Sequence, residues 1–326
     1  MLLPAIYPQI EARDALTFSE WGPPLALEQY RVRERRLRAH PYARDHMESW
    51  NWTTAQDPQA ILSTCETFRM RSVLITREGS VEGVSYGIAS VLTATELRGH
   101  RHASHMLEQL VAHLRSRDSH RIQGIHLYSD VGTPIYERLG FDPTDARDLV
   151  LPAAGPTDSG STPPKVFGAD LLTREEVCRA LDRIGPDPSL RVGDFVLQPT
   201  GAQMDWHFER ERCYAELLGR QIPEFGGAHL YDSRSNSMIV WFADHKSGEL
   251  RVCLAWGPKA RKLLGHAQWA AARCGLPRVR LWSSEFGDRD ATEGTVLRDG
   301  AIPMLLSCSE GVTAARWARV SRSGWV

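Results

Sequence analysis

The six cysteines of this 326-residue chain form no Cys-x-x-Cys pair and show no spacing typical of a zinc site, so we expect reduced thiols without a disulfide framework. No apolar run is long enough to span a membrane, and prolines and acidic residues interrupt the amino-terminal segment where a signal peptide would lie. The formal net charge of -1 lacks the positive excess of a nucleic-acid-binding protein. These absences predict a cytoplasmic protein whose partners include neither nucleic acid nor a membrane.

Length and composition favour two domains. A chain of 326 residues is long for a single core, and 42% hydrophobic residues are enough to fill two. The stretch 152–164 is rich in proline, glycine, serine and threonine, which is typical of a linker or a long surface loop. We predict a first domain at residues 1–151, a linker at 152–166 and a second domain at 167–326. A basic run from Arg31 to Arg38 predicts a solvated helix face, because Glu28 and Glu34 accompany it.

Strand and helix patterns alternate along the first half. The signals are apolar periodicity, a helix start at Asp57-Pro58 and a helix-ending glycine at position 140. The predicted elements are a strand at Leu16–Trp21, a helix at Leu27–Ala39, a helix from Asp57 through Phe68, antiparallel strands at Ser72–Arg77 and Tyr86–Leu92, a strand at Ile122–Tyr128 and a short helix at Thr133–Leu139.

The second half begins with a capping-box pattern, Thr173-Arg-Glu-Glu176, before a helix that ends near Ile184. Further along, the predicted order is two paired strands, a helix and a strand, at Met238–Phe242, Glu249–Trp256, Lys259–Cys274 and Arg278–Trp282. This order repeats that of residues 72–128. It indicates either a repeat of the first half or an ordinary α/β segment that shares the order by chance.

One segment of the first half is suited to binding a diphosphate. The apolar strand Gly87–Thr93 leads into a basic turn, Leu97-Arg-Gly-His-Arg-His102, and then into a helix with one apolar stripe at Ala103, Leu107, Leu110, Val111 and Leu114. The first N–H groups of a helix lack intrahelical partners and carry partial positive charge, so an anion can bind there. The equivalent turn of the second half, Trp256-Gly-Pro-Lys-Ala-Arg261, lacks this spacing, so we expect one such ligand per chain.

The turn Arg98-Gly-His-Arg-His-Ala103 resembles the Arg/Gln-x-x-Gly-x-Gly/Ala motif of the GNAT superfamily of N-acetyltransferases. The resemblance implies an α/β fold of the α+β kind: a GNAT acetyltransferase fold with a mixed central sheet, followed by a C-terminal α/β domain that is a degenerate GNAT-like repeat or a domain closing over the substrate. It also implies acetyl-coenzyme A (acetyl-CoA) as cosubstrate, without a metal. The implied binding residues are Val91, Leu92, Arg98, Gly99, His100, Arg101, His102, Ala103 and Ser104.

Arg101 departs from this motif, since the family has glycine at its position. A Cβ there could crowd the phosphates, because glycine allows close approach of the backbone to a ligand. A guanidinium beside a diphosphate could instead add a charge-assisted contact. Both alternatives stay open at the level of sequence.

More of the chain resembles the fungal lysine N6-acetyltransferases, two-domain GNAT relatives that acetylate free lysine. The matching segments include Leu27–Leu37, Ile61–Thr67, Leu127–Gly132, Trp206-His207, Gly227–His229, Ile239–Phe242 and Val279–Trp282. The resemblance implies a primary amine as acceptor, either the ε-amino group of lysine or that of a similar small amine. A protein lysine, a polyamine or a toxic amine remains an alternative acceptor.

Acyl transfer to an amine needs a proton donor for the departing thiolate and a route for the proton of the attacking ammonium. Tyr136 is the predicted acid, because the resemblance places a tyrosine hydroxyl near the coenzyme sulfur. Glu66, expected on a helix beside the acceptor, is the candidate for holding or deprotonating the amine; an exposed helix carboxylate is the alternative. Asp130 is predicted to cap the helix that begins at Thr133, and a role as a site residue is the alternative.

Trp206, His207 and Glu209 are the candidate acceptor-binding residues of the second half, where aromatic and charged groups lie together. The histidines at positions 100, 102, 105 and 113 are predicted to add positive potential near the turn rather than to bind a metal. Two other classes of function compete with the enzyme. The chain could be a non-catalytic GNAT-fold binding module in which Arg101 blocks the diphosphate, or its second half could be the active surface.

Overall fold

The protein is described by a computed structural model over residues 1–6, 9–154, 162–231, 235–286, 294–308 and 315–325. Within these ranges the α-helices are α1 (Gln9–Trp21), α2 (Leu27–Ala39), α3 (Pro41–His46), α4 (His102–Arg117), α5 (Pro134–Glu137), α6 (Arg174–Leu181), α7 (Gly201–Leu218) and α8 (Leu264–Arg273). Short 3₁₀ turns lie at Thr95–Leu97, Ala260–Leu263, Ser283–Phe286 and Arg322–Gly324.

The strands of the same ranges form two sheets. They are β1 (Leu2–Pro4), β2 (Met47–Trp52), β3 (Ser63–Thr76), β4 (Gly79–Thr93), β5 (Ile122–Ser129), β6 (Asp142–Pro143), β7 (Arg147–Pro152), β8 (Ala169–Leu172), β9 (Asp194–Leu197), β10 (Gly227–Leu230), β11 (Ser237–Asp244), β12 (Glu249–Trp256), β13 (Arg278–Trp282), β14 (Thr295–Leu297), β15 (Ile302–Ser307) and β16 (Arg316–Trp317).

The first sheet has the order β1-β2-β3-β4-β5-β15-β6, with β9 beside β3 and β16 beside β9. The pair β4 and β5 is parallel, whereas β3 pairs with β4 antiparallel, so the sheet is mixed. Helix α4 connects β4 to β5 and buries Leu107, Leu110 and Leu114 completely in the core on one face of the sheet. The predicted apolar stripe of this helix is therefore the face that packs on the sheet.

The second sheet has the order β14-β7-β13-β12-β11-β10-β8. Strands β11 and β12 are antiparallel, and β12 and β13 are parallel and joined by α8. This arrangement repeats that of β3, β4, α4 and β5. The mixed α/β fold that the sequence predicts is thus confirmed, and it consists of two sheets with a similar layout.

Each sheet receives strands from both sides of the predicted linker. Strand β7, which precedes the linker, pairs with β13 and β14 of the second sheet. Strand β15, near the carboxy terminus, pairs with β5 and buries Met304 and Leu306 in the core of the first sheet. Strand β9 pairs with the middle of β3. The predicted linker, of which residues 155–161 lie outside the described ranges, separates the halves only in sequence, and each sheet contains strands from both halves.

Two predicted elements of the first half are wrong. Leu16–Trp21 is not a strand but the end of helix α1, whose buried stripe consists of the polar residues Gln9, Arg13, Asp14 and Thr17. A pattern based on apolar spacing does not detect such a stripe. The predicted helix from Asp57 to Phe68 is instead a turn followed by β3. Asp57 caps only the turn, by accepting from the amides of Gln59 and Ala60 at 3.1 and 3.3 Å.

Most of the remaining elements agree with the prediction. Helix α2 has the predicted limits, and the capping box at Thr173 and Glu176 begins α6. Helix α7 was not predicted. All six cysteines, which lie within the described ranges, are free. No helix of the described ranges is both long and apolar enough to cross a membrane.

Candidate active site

The two parallel strands of the first sheet separate at their carboxyl ends. Strands β4 and β5 pair from Val84 to Ile88 on the β4 side, and β4 continues beyond that point without β5 beside it. Opposite Cys65, β4 contains a bulge at Ser90 and Val91, and Ser90 has a φ of 53°. A bulge turns the strand locally and leaves a residue outside the ladder. The result is a fork between the two strands, open to a cavity.

The two strand residues that the sequence assigns to the coenzyme differ in position. Val91 lines the cavity at the fork. Leu92 is buried instead, and its carbonyl accepts a hydrogen bond from Ser63 Oγ at 2.8 Å. The backbone of Leu92 is therefore engaged with β3, and Val91 is the better placed of the two to contact a ligand in the fork.

The predicted diphosphate turn connects this strand to helix α4. Gly99 has a φ of 85°, and Arg101, at the N-cap of α4, is left-handed with a φ of 61°. Among the described residues, the N–H groups from Gly99 to Ser104 donate to no backbone carbonyl. His102, Ala103 and Ser104 form the first turn of the helix. These unpaired amides at a helix N-terminus are the donors that a diphosphate requires.

Arg98 is directed away from the turn amides. Its guanidinium donates to the Thr93 carbonyl at 3.3 Å and pairs with Glu20 at 3.0 Å. Both side chains of this pair are exposed, so the pair contributes little to stability. Arg98 and Arg101 nevertheless give the outer side of the turn a positive charge. The rings of His100 and His102 lie there too, 6.0 Å apart, but burial and the neighbouring histidines lower the pKa of His102, which argues against the positive charge predicted for this ring.

The left-handed conformation at Arg101 allows the two alternatives for this residue to be separated. We expect Arg101→Gly to raise Tm, because the left-handed region costs a residue with a side chain about 1–2 kcal/mol that glycine avoids. The same change should weaken acetyl-CoA binding about tenfold, because one charge-assisted contact is lost. Thermal unfolding and calorimetric titration measure the two effects.

Arg101→Ala is the matched control, since it removes the guanidinium and keeps the Cβ. It should weaken binding as much as glycine does without raising Tm. If binding becomes tighter with glycine and stays unchanged with alanine, the Cβ crowds the phosphates and the contact is refuted.

Tyr136 lies on α5, just after β5, and lines the cavity. Its ring is buried and packs edge-on against Phe141, with the ring centres 6.1 Å apart. The hydroxyl has no hydrogen-bond partner among the described residues. Burial raises the pKa of Tyr136 to about 12, with smaller contributions from Cys65 and Asp130. The phenol is therefore protonated at neutral pH and can donate its proton.

Glu66 lies on β3 and not on a helix, which corrects the prediction. Strand β3 replaces the expected helix because it pairs on both sides, with β2 and with β4. The carboxylate lines the cavity, pairs with Arg13 at 3.3 Å and accepts from Ser90 Oγ at 2.9 Å. Ser90 belongs to the bulge, so these contacts hold the carboxylate at the fork.

Asp130 does not cap the helix after Thr133, contrary to the prediction. Its Oδ1 accepts a hydrogen bond from the backbone N–H of Ala301 at 2.8 Å. The N-cap Thr133 has no side-chain capping bond. Asp130 instead ties the end of β5 to the segment before β15, and it lines the cavity at that point.

The three acceptor-site candidates of the second half lie on α7, but only two of them line the cavity. Trp206 is buried beside Phe68 and donates from Nε1 to the Leu37 carbonyl at 3.2 Å. His207 is buried, and its Nε2 lies 3.0 Å from the Ser323 carbonyl. Because that carbonyl can only accept, Nε2 carries the proton.

Glu209 lies on a different face of α7. It pairs with Arg36 of α2 and with Arg212 of its own helix, the latter at 2.8 Å. Its carboxylate therefore joins α7 to α2, and it is not among the cavity-lining residues.

The basic run of α2 is only partly solvated, which corrects a second prediction. Arg33 is buried between the rings of Tyr30 and Tyr214, with its guanidinium carbon 4.4 and 5.2 Å from their centres. Arg38 forms two hydrogen bonds with Asp14, at 2.8 and 2.6 Å. Both arginines line the cavity. Sequence reasoning missed them because Asp14, the partner of Arg38, lies on α1, and Tyr214, which packs on Arg33, lies on α7.

The cavity itself has a volume of about 580 Å³ and is lined by residues of both halves. It extends from the fork, where Val91, Tyr136 and Glu66 lie, to helix α7 and the β11–β12 turn. This volume is in the range of small-molecule binding sites. Such sites often lie at the interface between two domains. The arrangement places a proton donor, a carboxylate and a ring of charged side chains around one enclosed space.

The other histidines of the α4 segment pack against aromatic rings. The ring centre of His113 lies 5.0 Å from Trp50, and that of His105 lies 6.3 Å from Trp52. In the described part of the chain, no three histidine, cysteine, aspartate or glutamate side chains are grouped as metal ligands would be.

The turn after β12 differs from the turn after β4. The amide of Gly257 donates to Asp187 Oδ2 and that of Lys259 donates to Ser237 Oγ, each at 2.9 Å. The protein's own side chains thus take the donors that a phosphate would need. This agrees with the prediction that only the first half carries a phosphate turn.

Comparison with known proteins gives one match to a sequence family and several to solved structures of similar fold. Residues 188–326 match the family described as the LYC1 GNAT-like C-terminal domain. Among curated proteins, none is significantly similar in sequence to the chain.

Solved structures with a similar fold cover nearly the whole chain. A conserved protein of unknown function from Enterococcus faecalis V583, described as a probable N-acyltransferase, has a TM-score of 0.59 at 13% identity, over 95% of this chain and 72% of that chain. A GCN5-related N-acetyltransferase from Anabaena variabilis has a TM-score of 0.57 at 11% identity, over 95% and 73%. Saccharomyces cerevisiae N-myristoyltransferase with bound myristoyl-CoA has a TM-score of 0.53 at 12% identity, over 100% and 84%. The chain therefore has the fold of the GNAT N-acetyltransferases, with the LYC1 GNAT-like C-terminal domain matching its residues 188–326.

Proposed function

We propose that this protein transfers the acetyl group of acetyl-CoA directly to the primary amine of a small acceptor, such as the ε-amino group of lysine. The observation that carries the proposal is the single cavity that joins the β4–β5 fork to helix α7, with the free Tyr136 hydroxyl at its wall. The similar folds of acyl-CoA-dependent enzymes support the acyl donor. The resemblance to the fungal lysine N6-acetyltransferases supports the acceptor.

In this proposal the turn from Gly99 to Ser104 binds the diphosphate, and the pantetheine follows β4 to Val91. The neutral amine of the acceptor attacks the thioester carbonyl, and a C–N bond forms as the C–S bond breaks. Tyr136 donates its proton to the departing sulfur, and the proton that the nitrogen loses after the attack restores the Tyr136 hydroxyl. The acceptor must first lose a proton, because the amine of free lysine has a pKa of about 10.4. Glu66, at the fork, is the residue we assign to hold the ammonium and to relay that proton.

Calorimetric titration of the full chain with acetyl-CoA tests the proposal first. We expect saturable binding with one site per chain, because the corresponding turn of the second half has its Gly257 and Lys259 amides bound to Asp187 and Ser237. Release of coenzyme A thiol should then follow the addition of lysine. N6-acetyl-lysine is the control acceptor, since its ε-nitrogen is already acylated, and it should release no thiol. Absence of binding at millimolar acetyl-CoA would contradict the enzyme and favour the non-catalytic binding module with Arg101 as the blocking residue.

A further inference from the structure

Most cations that line the cavity are already paired with acidic side chains. The pairs are Arg13 with Glu66, Arg33 with Glu34, Arg38 with Asp14, and Arg251 with Asp244. Each of these guanidinium groups has its charge balanced within the protein. A ligand that bound to one of them would have to displace the carboxylate it already holds.

Arg210 on α7 differs from these arginines. It lines the cavity, yet it forms no hydrogen bond or ion pair with any residue of the described ranges. Its guanidinium carbon lies 4.6 Å from the ring centre of Trp325, so the ring holds the group in place without neutralising it. Arg210 is thus a cation directed at the cavity with its donors unused.

The acidic residues whose charges act on Arg210 are Asp244 and Glu34, and both already pair with other arginines. Asp244 lies 3.3 Å from Arg251 and 3.7 Å from Arg322, and Glu34 pairs with Arg33 and Arg38. Burial lowers the pKa of Arg210, and the positive charge of Arg33 lowers it further. The surroundings of Arg210 therefore favour the arrival of a negative charge.

A second unpaired cation lies close by. Lys246, in the turn between β11 and β12, also lines the cavity, and its ammonium has no partner among the described residues. The pKa of Lys246 is lowered by burial and by the charges of Arg210 and Arg33. Arg210 and Lys246, the latter exposed at the cavity wall, repel each other, and the cavity beside them has the positive charge and the donors that an anionic group needs.

We propose that Arg210, with Lys246 beside it, binds a carboxylate of the acceptor, so that the acceptor is an amino acid or a similar amine with a carboxylate. The inference rests on the proposed acetyl transfer and gives it a substrate class. The carboxylate lies at α7, and the amine extends toward Val91 and Tyr136 at the fork. Arg210 thereby selects acceptors and positions the amine, and it takes no part in the chemical step. Diamines and polyamines lack the group that it recognises.

The test compares lysine with 1,5-diaminopentane, which has the same carbon chain and amine without the carboxylate. We expect the wild-type protein to acetylate lysine with the higher kcat/KM. Arg210→Gln should raise the KM for lysine about 10- to 100-fold, because a charge-assisted contact is lost, and should leave the diamine nearly unchanged. Arg210→Lys should restore part of the preference. The Kd for acetyl-CoA should stay within twofold in both variants.

Arg212→Gln is the matched control. Arg212 lies on the same helix and pairs with Glu209 and Asp205 away from the cavity. This variant should keep the preference for lysine. An equal loss of both acceptors in Arg210→Gln would show a purely structural role, and a weakened Kd for acetyl-CoA would show that Arg210 serves the coenzyme. Either result overturns the proposal.

Direct binding separates this inference from the proposed reaction. Calorimetric titration of each acceptor into the protein with coenzyme A requires no turnover. Binding of lysine that Arg210→Gln abolishes would support the carboxylate site even if no acetyl group is transferred. If the wild-type protein binds lysine no better than the diamine, the inference fails, whatever becomes of the acetyl transfer.

Discussion

Tyr136→Phe should lower kcat about 10²- to 10⁴-fold, which is the usual contribution of a positioned general acid. The reason is that the pKa of the buried phenol is raised to about 12, so it carries its proton at neutral pH and can give it to the leaving thiolate. The ring lies against Phe141 and its hydroxyl has no partner among the described residues, so phenylalanine should fit the same space. Steady-state kinetics with acetyl-CoA and lysine, together with calorimetric Kd values, measure the effect.

Tyr42→Phe is a suitable control, because the Tyr42 hydroxyl is also buried without a partner but lies outside the cavity. It should leave kcat unchanged. The Kd for acetyl-CoA should stay within twofold in Tyr136→Phe. An equal loss of kcat and coenzyme affinity would show that Tyr136 positions the coenzyme, and an unchanged kcat would remove it from the mechanism.

Two buried histidines should make the protein less stable as the pH falls below about 6.5. Burial lowers the pKa of His126 and that of His207 to about 3. The unfolded chain therefore binds protons between about pH 6.5 and pH 3 that the folded protein excludes, and stability is lost through that window. Each histidine should contribute roughly 1 kcal/mol of this loss between pH 6.5 and 5.5. Urea unfolding across that range measures it.

The comparison must be made between variants, because buried Glu285 acts in the opposite direction. Burial raises the pKa of Glu285 to about 8. As the pH falls from 8 toward the usual pKa of a glutamate, the folded protein takes up a proton that the unfolded chain does not yet bind, and the folded state becomes more stable. His126→Asn and His207→Gln should each flatten the pH dependence, while the exposed His120→Gln should not. A slope unchanged in both buried variants would mean that these histidines are protonated in the folded protein.

Local signals in the sequence predicted the elements that we propose to bind the coenzyme. The βα alternation, the basic turn and the stripe of α4 depend on residues within one or two turns of each other. Such patterns are governed by backbone sterics and short-range hydrogen bonds. For the same reason, the turn has a left-handed residue at position 101 even though this residue is arginine, where the motif has glycine.

The same reasoning failed where distant segments decide the environment. Glu66 was expected on a helix because Asp57-Pro58 resembles a helix start. Pairing with β2 and β4 made the segment a strand. The arginines of α2 were expected to be solvated, whereas α1 and α7 supply partners for Arg33 and Arg38. Local propensity is a weak signal when strands on both sides supply the hydrogen bonds.

By itself, the sequence determined the repeated strand–strand–helix–strand order, the phosphate turn and the tyrosine after β5, because each is specified by neighbouring residues. Only the tertiary structure decided that β7 and β15 each join the sheet formed mainly by the other half of the chain, that Glu66 lies at the fork, and that Arg210 lines the cavity without a charged partner among the described residues. The physical reason is that the charge balance and burial of a side chain depend on residues brought together from distant parts of the chain. No pattern of neighbours encodes them.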